Sequence, residues 1–136
     1  MSQNRPFVRR FSLTTIEMIF VFLDDGTLDV IANLQEAQRN YEGIDVESGI
    51  FQFFDERGIY LEPQFTEPNK TGRFLGIFQW IESGQFKLVR QTETDEDINL
   101  YLAETSEINP NPYFSNLEEV RHFLQDNQSK QNLSHK

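Results

Sequence analysis

Two adjacent phenylalanines constrain this chain more than any other pair. Phe53 and Phe54 lie in the β-rich run Phe51-Gln52-Phe53-Phe54. A strand sends consecutive side chains to opposite faces, so one covered sheet face cannot hold both rings. Either both faces are covered, or some aromatics stay exposed. Core packing is the usual fate of Phe, so the expectation is helices over one face and loops over the other. The chain has the means: thirteen Phe, four Tyr and one Trp in 136 residues. Aromatic side chains bury large areas, so a single domain of this length can build a core despite 38% hydrophobic content. Phe74, Phe78, Trp80 and Phe86 form a second aromatic group. If exposed and flanked by acids, such rings would suit a protein interface.

Turn and cap signals divide the chain. Ile16 to Leu23 is apolar and too short to span a bilayer. It reads as a buried strand, turned at Asp24-Asp25-Gly26-Thr27 into a return strand at Leu28 to Ile31. Asn33 with Glu36, and Asn116 with Glu119, read as capping boxes. They open helices over 34–42, ended by Gly43, and 117–126. A third helix is expected from Thr94 to Glu104, with Asp95, Glu96 and Asp97 in its first turn beside the positive end of its dipole. Strands are expected near 50–55, 59–65, 74–81 and 85–91, with turns at Glu56-Arg57-Gly58 and Asn69-Lys70-Thr71-Gly72. Pro63 and Pro68 place the end of the 59–65 strand at an edge or in a loop. Glu-Ser-Gly occurs at 47–49 and at 82–84, each a bend feeding a strand. Asn109 to Phe114, with two prolines, must be a non-helical connector. The expected fold is α+β, a mainly antiparallel sheet with about three helices in one domain. That domain covers 16–126, between a flexible basic arm at 1–15 and a polar frayed tail at 127–136.

Charge points to a class of partner. The net charge is −10. Gln91 to Val120 contributes eight acids and no Lys or Arg: Glu93, Asp95, Glu96, Asp97, Glu104, Glu107, Glu118 and Glu119. A field of one sign favours a basic partner. It argues against nucleic acid, whose binding rests on neutralising phosphates, and against an anionic membrane surface. No Cys is present, so disulfides, zinc–thiolate sites and Cys nucleophiles are excluded; a reducing cytoplasm fits.

Catalytic patterns are sparse. Phe22 to Leu28 resembles the opening motif of haloacid-dehalogenase-type phosphatases. Leu23, however, stands where that motif needs a nucleophilic carboxylate. Turn chemistry accounts for Asp24-Asp25-Gly26-Thr27. Asp24, Asp25 and Asp29 lack the spacing of a calcium loop. His122 lies near Glu118 and Glu119, but one His without further ordered ligands makes a poor metal site. No catalytic residue, cofactor or metal is expected. Asn69-Lys70-Thr71 is a glycosylation sequon, meaningful only in a secreted chain.

The segment Asn33 to Phe65 resembles small acidic bacterial proteins, some of which accompany polymorphic or contact-dependent toxins as immunity proteins. The capped helix, Tyr41 to Gly49, Phe54-Asp55-Glu56-Arg57-Gly58 and Asn109 to Phe114 carry the likeness. It implies a cytosolic, non-enzymatic binder that masks a toxin's active surface. On that expectation Glu93, Asp95, Glu96, Asp97, Glu104 and Glu107 pair with a basic toxin domain such as a nuclease, and Tyr101, Tyr113 and Phe114 anchor it. Two alternatives stand beside it. One is a carboxylate-dependent hydrolase or metal-binding enzyme using Asp24, Asp25 and Asp29 or the Glu118–His122 region. The other is a small self-associating structural or regulatory subunit.

Overall fold

The structure is a computed structural model that describes residues 18–134, with side chains to Ser129. The basic arm, the start of the first strand and His135 lie outside the described residues. Within them the fold is α+β and mostly antiparallel, as the order of signals predicts.

Six strands form the main sheet: β1 (Ile19–Leu23), β2 (Thr27–Ile31), β3 (Phe51–Asp55), β4 (Tyr60–Glu67), β7 (Gln85–Gln91) and β8 (Glu107–Ile108), in the order β7-β4-β3-β1-β2-β8. Among the described residues four helices accompany them, one more than expected: α1 (Leu34–Asn40), α2 (Gly43–Glu47), α3 (Ile98–Glu104) and α4 (Leu117–Ser134). β5 (Lys70–Phe74) and β6 (Phe78–Glu82) make a separate two-stranded sheet, called the finger below.

The adjacent phenylalanines are resolved by covering both faces with helices, rather than one with loops. On one face Phe54 packs with Phe20, Phe22, Leu28 and Val30 beneath α3 and α4, which contribute Ile98, Leu102, Val120 and Leu124. On the other, Phe53 packs with Ile19, Val21, Leu61, Phe86 and Leu88 beneath Ala37 of α1 and Val46 of α2. β1 is central, paired with β2 on one side and β3 on the other, so its run of apolar residues is buried on both faces. Each fully buried ring of this kind stabilises the fold by about 1.5–3 kcal/mol.

Local chemistry sets the element ends. Asn33 and Asn116 cap α1 and α4, accepting from the amides of Glu36 and Glu119. α3 starts later than expected. Asp97 is its N-cap, accepting from Asn99 N, so Asp95 and Glu96 precede the helix rather than line its first turn. Gly43 does not follow a helix end in a left-handed conformation; it opens α2 instead. The tail beyond Asp126 does not fray at once. α4 runs on to Ser134, and Asn127 Nδ2 donates to Glu56 O at 2.9 Å, tying the helix to the β3–β4 turn. That turn is organised by Asp55, a buried carboxylate. It accepts from the amides of Arg57 and Ile59 at 2.9 Å and from Arg90 Nε at 3.1 Å.

Of the expected turn at 69–72, Lys70 to Gly72 is strand. The reversal falls at Leu75-Gly76, both with positive φ (57° and 75°). The expected 74–81 strand is therefore split between the two strands of the finger.

Candidate functional site

Two surfaces stand out, and they differ in kind. The first is acidic and lies around α3. The β1–β2 turn brings Asp24 and Asp25 beside Gly26, and Gly26 O accepts from the amides of Ser106 and Glu107. The turn acids and the Glu104–Glu107 segment thus meet, although some eighty residues separate them. Between them opens a cavity of about 310 Å³, lined by Phe22, Asp24, Ile50, Gln52, Tyr101 and Glu104 among others. Glu93, Asp95, Glu96 and Asp97 gather before the other end of α3. Seven helical residues span only about 10 Å, so both acid groups belong to one neighbourhood.

These carboxylates are largely uncommitted. Glu93, Asp95, Glu104 and Glu107 are exposed and make no side-chain hydrogen bond or ion pair among the described residues. Glu96 accepts from the Tyr101 hydroxyl at 2.5 Å, and Asp97 is spent on its cap. Glu118, further along, receives Arg121 at 3.6 Å and His122 at 3.1 Å.

Two of the three expected anchor rings are used internally. Tyr101 packs on Phe22 and Phe54, with ring centroids 5.7 and 5.5 Å away. Burial, the Glu96 hydrogen bond and the Glu96 and Glu104 charges push its phenol well above the ordinary value. Phe114 packs on Phe20 and Phe123. Tyr113 alone of the three is exposed. For Tyr101 the spacing does carry the signal, since it shares the apolar stripe of α3 with the buried Ile98 and Leu102.

Of the residues considered for hydrolytic or metal chemistry, Glu118 and His122 meet as a pair, while Asp24, Asp25 and Asp29 are engaged separately. Asp24 lines the cavity, while Asp25 holds the amide and hydroxyl of Thr27. Asp29 accepts from the Tyr41 hydroxyl at 2.6 Å and from the Asn109 amide. That bond, after burial, pushes the Tyr41 phenol far above its ordinary value. Among the described residues no three His, Asp or Glu side chains group as metal ligands.

The second surface is the finger, which the sequence marked only as a run of aromatics. Phe74, Phe78 and Trp80 share one face, with Trp80 lying across Gly72, and Ile81 points to the other. Leu75 and Ile77 at the tip are 73% and 79% exposed. A two-stranded hairpin is marginal alone, so its base matters. Asn69 Oδ1 accepts from Gly84 N at 2.6 Å, while its amide donates to Gly43 O at 3.0 Å and Glu47 Oε1 at 2.7 Å. A Cβ on Gly84 would fall 1.9 Å from Glu67 O, so only glycine fits this elbow. The second Glu-Ser-Gly thus serves close approach, whereas Gly49 in the first serves a positive φ of 85°. The Asn69 amide is committed to the elbow, where a glycan would displace it.

No family model, curated protein or solved structure matches the chain. No helix among the described residues is long and apolar enough to cross a membrane.

Proposed function

We propose that the chain is a non-enzymatic cytoplasmic binding protein, an immunity-type inhibitor that occludes a basic toxin domain such as a nuclease. One observation carries this reading. The acids from Glu93 to Glu107, joined by Asp24 at the cavity, are exposed, and among the described residues Glu93, Asp95, Glu104 and Glu107 have no side-chain partner. A fold has little reason to gather unpaired charge of one sign around one short helix, because like charges there repel. A basic partner turns that repulsion into attraction and accelerates encounter. Tyr113 supplies an exposed ring beside this surface in sequence. The acid excess and the likeness of Asn33 to Phe65 to immunity proteins support the toxin as partner.

The test is a stoichiometric complex with the product of the adjacent gene, and loss of that product's toxicity when the two are produced together. Charge reversal at Asp95, Glu96 and Asp97, and separately at Glu104 and Glu107, should slow association at least tenfold. Raised salt should weaken the complex. Binding unchanged by both reversals would sink the proposal.

A further inference from the structure

The finger makes a separate demand. Phe74, Phe78 and Trp80 are each roughly half exposed, and an aromatic side chain can bury about 150–250 Å², so these three leave on the order of 300 Å² open. Leu75, Ile77 and Ile81 extend that surface over the tip and the opposite face. The largest apolar patch of an ordinary monomer is about 300–600 Å² and is often functional. The elbow at Asn69 and Gly84 fixes the base of the finger, and every large apolar side chain beyond it is exposed. Among the described residues, both strands of this two-stranded sheet also present an unpaired edge, a template for pairing with another chain.

Charge selects the occupant. Lys70, Arg73 and Glu82 give residues 69–83 a net +1, in a chain of −10. The aromatic face carries one charge of each sign, Lys70 opposite Glu82 at its base, and Arg73 sits on the other face. The finger is therefore a part of the molecule that two like-charged copies can bring together at little electrostatic cost. Its acidic body opposes docking on an anionic bilayer. A second copy brings an equal apolar area; the three rings supply on the order of 300 Å² of the roughly 800 Å² per side of a standard interface, so a dimer they form is weak and depends on concentration.

We infer that the finger is a homodimerisation element, in which the aromatic faces of two copies, Phe74, Phe78 and Trp80 from each, pack on one another. This rests on residues distinct from the acidic surface. The two readings also respond oppositely to salt. Screening the repulsion between the two bodies strengthens the dimer, whereas it weakens capture of a basic partner.

Trp80 is the chain's only Trp, so the finger carries its own probe. Sedimentation equilibrium of the full chain should show a mass twice 16.0 kDa, with the dimer fraction rising with concentration and with salt. Trp80 emission should move to shorter wavelength in parallel. The double substitution Phe74→Asp with Ile77→Asp should yield a monomer with red-shifted emission and an unchanged far-UV spectrum. Trp80→Phe, which keeps the apolar face, should still dimerise. A single-chain mass at all concentrations and salts, or a dimer that survives the double substitution, overturns the inference. So does a monomer whose Trp80 emission shifts only on phosphatidylserine vesicles.

Discussion

Phe53 and Phe54 have no exposed surface, whereas Phe74 and Phe78 are more than half exposed, within one chain and in the same kind of β-rich sequence. Composition does not separate them. What differs is cover. β3 lies inside the six-stranded sheet with helices on both faces, so alternate rings enter opposite cores. Among the described residues, the finger hydrogen-bonds as a sheet only to itself. An aromatic residue therefore marks a place that needs burial, and topology decides whether its own chain supplies it.

Substitution tests this contrast directly. Phe53→Ala or Phe54→Ala should cost about 3–5 kcal/mol in urea unfolding, because each leaves a cavity in a closed core. The same change at Phe78 should cost under about 1 kcal/mol when the chain is studied as a dilute monomer. Equal losses at the two sites would erase the distinction. Asp55→Ala should cost about 2–4 kcal/mol, since it strands two turn amides and Arg90. The acidic surface should be nearly silent in the same assay: Glu104→Gln and Glu107→Gln should shift stability by no more than about 0.5 kcal/mol.

Alkali separates the regions in another way. Tyr41, Tyr60 and Tyr101 all have phenols raised above 10, in each case first by burial and then by neighbouring carboxylates. The unfolded chain ionises its tyrosines near 10 and the native body does so later. Their contribution to stability is thus fully present below pH 10 and declines as the pH rises through the folded values. Urea midpoints followed by far-UV signal should fall steadily above pH 10. Tyr41→Phe, which removes the buried phenol and its bond to Asp29, should flatten part of that fall.

Much of the body was legible in the sequence. The β1–β2 turn, the Asn33 and Asn116 caps and the need to place both Phe53 and Phe54 follow from local rules, and each appears in the fold. The failures occur where distant segments decide. Gly43 looked like a helix end, but it lies against Asn69 and Gly84 at the elbow, contacts that no local pattern announces. Asn69-Lys70-Thr71-Gly72 has turn composition, yet Gly72 is strand because Trp80 must lie over it. The polar sequence after Asp126 gave no sign of helix, which Asn127 holds against the β3–β4 turn. At the candidate site the acids were legible as a run, but their meeting with Asp24 around a cavity was not.

The elbow has one more consequence. β4 and β7 stay paired as far as Glu67 and Gln85, so the chain leaves the body and re-enters it at neighbouring points. Everything between is an insertion whose ends already touch. A short turn joining those two residues would spare the six-stranded sheet, and a different hairpin could be grafted onto the same stem. The body behaves as a socket, and its apolar head is the exchangeable part.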